Sequence, residues 1–197
     1  MPGEITFPEV LESERLALRR YSVADAASIL RLVDRDRERL LQNFAPMVKG
    51  MLSPEQAVSF VEEKAADWNS RKAFCYGIWI KGSTEQVGQL QVKTLAWDVP
   101  YGELSYFIAS SSQRQGFASE AVSTILRVAF GQFEFRRIFV RIITTNKESL
   151  LLAKKLGFTH EGTHRNEYRC GYGELHDLHY FSFTSEDWKV GPGGLLS

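Results

Sequence analysis

Apolar positions recur at two spacings along this chain of 197 residues, and the switches between them mark its elements. "RLALRRYS", residues 15–22, carries Leu16 and Leu18 two apart and predicts a first strand. Ser22 followed by Asp25 is a capping-box pattern with the shorter acid, and opens a helix through Ile29, Leu32 and Val33. Pro46 and Gly50 interrupt the pattern in "LLQNFAPMVKGML", 40–52, which predicts a loop or a broken helix. Its apolar and aromatic content suits the lining of a cleft. "SPEQAVSFVEEKAADW", 53–68, is a helix with Ser53 as N-cap, Pro54 at the first position and Gln56 completing a capping box. Three strands follow, at 73–80, 87–97 and 103–109, and read as an antiparallel meander. In the second, Leu90 and Val92 alternate with Gln89, Gln91 and Lys93. Then come a helix (116–131), a strand (136–145), a helix (146–156) capped by Asn146 and stopped by Gly157, and two strands joined by a Gly-containing turn. A meander feeding a β-α-β-α-β unit predicts one α/β or α+β domain on a central sheet, 1–197, with its core in 12–188. The Gly/Pro-rich 189–197 reads as a frayed tail.

Composition narrows the function classes. Lys plus Arg equals Asp plus Glu, 24 each, so there is no basic excess of the kind a nucleic-acid binder shows. Arg136, Arg137 and Arg141 read as a solvated strand edge. No apolar run approaches the ~18 residues of a membrane span, and "MPGEITFPEV" has no signal-peptide pattern. Cys75 and Cys170 are far apart and form no CxxC, which suits a reduced cytoplasmic protein. Trp68, Trp79 and Trp97 read as packing residues. His176 and His179 face opposite sides of a strand, and His160 and His164 lie roughly 13 Å apart at strand rise, so no metal is expected.

The strand-to-helix junction "SSSQRQGFASEA", 110–121, is the candidate for chemistry. A helix opening after Gly116 turns unsatisfied N–H groups and a positive dipole end toward the loop, Ala118 and Ser119 are small, and Arg114 adds a charged donor. A phosphate or pyrophosphate fits such a site. The segment matches neither the P-loop nor the Rossmann glycine pattern.

"QRQGFA", 113–118, resembles the Q/R-x-x-G-x-G/A motif of the GNAT superfamily of N-acetyltransferases. "NKESLLLAKKLGF", 146–158, is similar to that family's Asn-led helix ending in Gly-Phe. "ERLALRRYSVADA", "FTHEG" and "NEYRCGYGELHDLHYFSF" resemble the RimJ/RimL branch, which acetylates protein N-terminal amines. The resemblance implies a central, mixed, mostly antiparallel twisted sheet of about seven strands with about four helices. It also implies acetyl-CoA as cosubstrate and amine attack on its thioester.

By that resemblance, Gln113, Arg114, Gln115, Gly116, Phe117, Ala118 and Ser119 hold the pyrophosphate, and Asn146 contacts the CoA arm. Phe107, Ile108 and Ala109 belong to a splayed strand whose backbone pairs with pantetheine and can meet the thioester oxygen. Glu167 is the candidate base and Ser149 the candidate hydrogen-bond donor to the sulfur, with Ala153 where many members carry a tyrosine acid. Phe44 and Met47 in "NFAPM" stand where relatives have a tryptophan-rich substrate loop. Asn146 also suits plain helix capping, and Glu167 a solvated strand end. An α-amine near ~7.7–8.0 asks less of a base than a lysine near ~10.4. The expected acceptor is a protein N-terminus, such as that of a ribosomal protein; a polyamine or aminoglycoside acceptor, or a non-catalytic acyl-CoA-binding module, are the alternatives. Monomer and homodimer both fit the sequence.

Overall fold

A computed structural model of the chain describes residues 6–190. Eight strands form one sheet: β1 Val10–Glu12, β2 Leu16–Arg20, β3 Phe74–Ile80, β4 Gln86–Ala96, β5 Tyr101–Ile108, β6 Arg137–Ile143, β7 Thr159–Arg169 and β8 Leu175–Thr184. Their order is β1-β2-β3-β4-β5-β6-β8-β7. All neighbours are antiparallel except β5 and β6, which are parallel. A parallel pair needs a crossover, here the helix α5, Phe117–Gly131.

The other helices are α1 Ala26–Arg35, α2 Arg37–Asn43, α3 Ala45–Lys49, α4 Pro54–Asn69, α6 Lys147–Lys155 and α7 Ser185–Val190. The 40–52 segment is thus a broken helix, and its two pieces raise the helix count above the sequence pattern's. The extra strand is the three-residue β1, too short to show a period. Lys189 and Val190 end α7, and the remainder of the expected tail lies outside the described residues. At the start of α4, Ser53 Oγ accepts the Gln56 N–H, while the Gln56 side chain accepts the Leu52 N–H at 2.7 Å.

The sheet is covered on both faces. One face packs on α5 and α6 through Val122, Ile125, Ala129 and Ala153, with Leu90 and Val92 beneath. The other packs Ile29, Val33, Val48 and Val61 of α1, α3 and α4 over Cys75, Trp79 and Phe107. The polar side of β4 is therefore interior: Gln89 is buried and accepts the hydroxyl of Tyr21 at 3.2 Å. Trp68 and Trp79 are core residues, as the pattern predicts, and Arg19 stacks 3.6 Å from the Trp79 ring. The arginine cluster is not a sheet edge, because β6 lies between β5 and β8.

The Trp79 ring folds back over Gly77, where an added Cβ would lie 2.1 Å from a ring carbon. We expect Gly77→Ala to displace the indole and to cost ~1–3 kcal/mol, read as a lower urea midpoint with unchanged slope.

Candidate active site

The parallel pair β5 and β6 is bonded only over Tyr101–Arg137, Gly102–Ile138 and Glu103–Phe139. Beyond Glu103 the strands part. A cavity of about 140 Å³ fills the wedge, walled by Leu104, Ser105 and Tyr106 on one side and by Val140, Arg141 and Ile142 on the other. Phe44 and Asn43 from the end of α2, Ser149 and Asn146 from α6, and Tyr168 from β7 also line it, with Lys93 and Glu103 among the charged groups.

At the apex, Arg141 clamps the buried Glu103 with two hydrogen bonds of 3.0 and 3.1 Å. Lys93 and the Thr94 hydroxyl also reach that carboxylate, at 3.6 and 3.1 Å. Arg141 lies 3.6 Å from Glu167 as well, which accepts the Tyr180 hydroxyl at 2.5 Å and pairs with His164 at 3.0 Å. A β-bulge between His164 and Tyr168 sets this arrangement, and Asp177 secures it by accepting the N–H of Asn166, whose φ is +53°.

The end of β5 is fixed from the helical side. The Ala109 N–H donates to Val87 at 2.7 Å, so it belongs to the ladder with β4. By alternation, the N–H and carbonyl of Ile108 turn away from β4, and that carbonyl accepts Arg39 at 2.8 Å. Asp36, buried between α1 and α2, accepts Arg39 at 2.5 Å and both the N–H and hydroxyl of Ser110 at 2.7 and 2.6 Å. Burial works against its ionisation, but Ser110 and Arg39 outweigh it and hold the carboxyl below its usual value.

A 3-10 turn, Ser110–Ser112, leads into the exposed loop Gln113–Gly116. Arg114 has φ +60° and Gly116 φ +84°, the left-handed conformation that glycine adopts without a Cβ penalty. Gly116 is the N-cap of α5 and offers no side-chain bond, and the first helical bond runs from Glu120 N–H to the Gly116 carbonyl. The N–H groups of Phe117, Ala118 and Ser119 thus form an uncapped helix start beside the loop. Arg15 grips this corner, donating to the Gln115 carbonyl at 2.9 Å and to Glu120 at 2.8 Å. Glu120 also accepts Ser13 at 2.7 Å, which gives it a structural role the sequence did not disclose.

On α6, Asn146 Oδ1 accepts the Ser149 N–H at 3.2 Å, so the capping reading holds. Its amide also donates to Asn43 at 3.1 Å, bridging α6 to α2 across the cavity.

The model of the acetyltransferase (GNAT) domain family matches residues 15–159. The chain belongs to the GNAT family. It is an N-acetyltransferase that uses acetyl-CoA. The N-acetyltransferase YoaA of Bacillus subtilis (strain 168) is 30% identical over 178 residues, covering 90% of this chain and 97% of that protein. Among solved structures, the ribosomal L7/L12 alpha-N-protein acetyltransferase RimL in complex with coenzyme A superposes with a TM-score of 0.82 at 20% identity, over 89% of this chain and 98% of that one. The microcin C7 self-immunity acetyltransferase MccE, solved with acetyl-CoA and AMP, gives 0.78 at 19% identity, over 87% and 93%.

This GNAT domain gathers the expected positions unevenly. Ser149, Asn146 and Phe44 line the cavity, and Glu167 joins it through Arg141. Met47 does not line it; its sulfur sits 3.9 Å from the Gln89 amide, within the helical core. Phe107 is buried against Phe44, and Phe117 is buried under Arg15, so their side chains are packing groups. Glu103, Arg141, Tyr106, Asp36 and Arg39 went unrecognised in the sequence. His160 and His179 meet across β7 and β8 at 3.1 Å, a pairing that spacing within one strand does not disclose. Cys170, Glu174 and His176 bring donor atoms within 4.8 Å of one another at the turn between these strands, and none lines the cavity.

Asp36 has a depressed folded value, so its contribution is present above the unfolded ~3.9 and is lost as pH falls through the folded value. We expect Asp36→Asn to lower stability at pH 7 by about 1.5–3 kcal/mol. It should also flatten the loss of stability below pH ~4, read by urea titration across pH.

Proposed function

We propose that this single domain transfers acetyl from acetyl-CoA to the α-amine of a protein N-terminus, by direct attack in a ternary complex. The observation that carries the choice of acceptor is the charge of the cavity wall. Lys93 and Arg141 stand there with Glu103, and Glu167 adjoins Arg141, so the wall has no acidic excess. A wall of that balance does not concentrate polyamines or aminoglycosides, which the sequence left open. An α-amine near ~7.7–8.0 arrives partly neutral and needs little help. The likeness to RimL, a ribosomal L7/L12 alpha-N-protein acetyltransferase, supports a ribosomal protein as acceptor.

In this reading the pyrophosphate lies on the N–H groups around Gln113–Ser119, at the positive end of α5, with Arg114 alongside. The pantetheine arm follows β5 where it has left β6, and of Phe107, Ile108 and Ala109 it is Ile108 whose N–H, turned away from β4, is offered to it. The thioester enters the wedge near Ser149, and the amine arrives past Phe44. Nitrogen attacks the carbonyl carbon, the C–S bond breaks, and sulfur leaves with the electron pair. Glu167 receives the amine's proton through water. The proposed reaction uses no metal and takes place in the cytoplasm, with the protein as monomer or homodimer.

CoA release tests this with four acceptors: peptides with free N-termini, a lysine peptide with a blocked N-terminus, spermidine and an aminoglycoside. Release with the free N-termini alone is expected. Glu167→Gln should then reduce kcat by at most about tenfold at pH 7, with the deficit shrinking as pH rises past ~8 and the amine deprotonates itself. Release with the small cations would replace the acceptor, and acetyl-CoA binding with no release would favour the binding-module alternative.

A further inference from the structure

The turn between β7 and β8 carries three metal-ligating side chains that the cavity does not use. Cys170, Glu174 and His176 bring one donor atom each within 4.8 Å of the others. The strand register brings them together. Tyr168 lies opposite His176 and Arg169 opposite Leu175, so one step further Cys170 faces Glu174. The Cys170 N–H donates to the Glu174 carbonyl at 2.9 Å. Gly173, at φ +90°, closes the reversal by donating to the Cys170 carbonyl at 3.0 Å. Side chains two apart on a strand share a face, so His176 stands on the face of Glu174 and Cys170.

Burial and docking prepare the cluster for a ligand. The His176 Nε2 is buried and makes no hydrogen bond among the described residues, although it stands 3.6 Å from the Glu174 carboxylate. A buried ring nitrogen without a partner calls for one. Cys170 is a free, buried cysteine, whereas the Glu174 side chain is 67% exposed and leaves that side open to solvent. The turn itself is anchored to α2: the Gly171 N–H donates to the Leu41 carbonyl at 2.8 Å, and the Tyr172 hydroxyl to the Glu38 carbonyl at 3.0 Å. An added Cβ on Gly171 would lie 2.5 Å from the Leu41 side chain.

We propose that Cys170, Glu174 and His176 form a binding site for a divalent transition-metal ion, with Zn²⁺ the best-fitting ion, apart from the site of acetyl transfer. Thiolate and imidazole suit Zn²⁺, whereas Ca²⁺ and Mg²⁺ take oxygen ligands. Zinc bonds of ~2.0–2.3 Å put neighbouring tetrahedral donors ~3.3–3.8 Å apart. The 3.6 Å between His176 and Glu174 falls in that range. The longest edge of the cluster contracts by about 1–1.5 Å at most, which side-chain rotation supplies. Water takes the fourth position. Binding sends the thiol proton of Cys170 to solvent, and no electrons change hands. The turn is hydrogen-bonded to α2, whose last residue Asn43 lines the cavity, so the ion braces the cavity wall from behind. The C-x-x-x-E-x-H spacing straddles a turn, which is why histidine spacing along single strands does not disclose the site.

Co²⁺ titration of the intact, reduced, chelator-stripped protein tests this, because a thiolate bound to Co²⁺ gives a near-ultraviolet charge-transfer band. The band is expected to saturate at one equivalent and to be bleached by Zn²⁺. Cys75 does not compete: it lies in the helical core, and burial pushes its thiol up to about 12. Cys170→Ala should abolish the band. Glu174→Gln, at an exposed position that spares the fold, and His176→Ala should each weaken Co²⁺ binding at least about tenfold, the least that losing even a group that only supports a ligand costs. His179→Ala should change nothing, because His179 pairs with His160, at 3.1 Å, outside the cluster. Absence of the band in the wild type, a wild-type titration for Glu174→Gln, or loss of the band in His179→Ala would each overturn the proposal.

Discussion

Two parallel strands that pair for three residues and then separate are the constraint on which this molecule turns. Backbone groups on the inner edges of such a wedge lose their ladder partners and must find others. On the β5 side, the Ile108 carbonyl finds Arg39, and the neighbouring Ala109 keeps its bond to β4. At the apex, Arg141 on β6 grips Glu103 on β5 with two hydrogen bonds, just where backbone pairing stops. A bidentate charged pair at that point sets where the wedge begins.

The wedge must also be held open at its rim, and two polar clusters do this. Asp36 ties the α1–α2 junction to Ser110 and to Arg39, which fixes the end of β5. Arg15 and Glu120 tie the start of β2 to the first turn of α5. Between them, the loop at Gly116 is left with N–H groups facing no side-chain cap. The uncapped start of α5 and the gap between β5 and β6 are thus linked through the end of β5. The amide bridge from Asn146 to Asn43 crosses the same gap and brings Phe44 to its wall.

What the sequence disclosed was local. Gly116 is legible because a loop that enters an uncapped helix through a left-handed residue favours glycine at that corner. Asn146 is legible because its amide oxygen must satisfy an N–H within the first helical turn. The meander is legible because β3, β4 and β5 are consecutive and antiparallel. What stayed hidden depends on partners distant in the chain. Glu103 and Arg141 are 38 residues apart, and Asp36 and Ser110 are 74 apart. Arg141 reads as a solvated cation until β6 is placed inside the sheet. The placement of Glu167 depends on a β-bulge, which breaks the strict alternation used to assign faces. Met47 was assigned to the cleft by its neighbours in sequence, but the break between α2 and α3 turns it under the helices, against Gln89.

The central claim is that one cofactor spans the loop at Gly116 and the free edge of β5. Backbone hydrogen exchange, with and without acetyl-CoA, tests it most directly. The account predicts slowed exchange at Ile108 and across Gln113–Ser119, with the β3–β4 ladder unchanged. Protection confined to another part of the chain, leaving both of these segments as in the free protein, would contradict it.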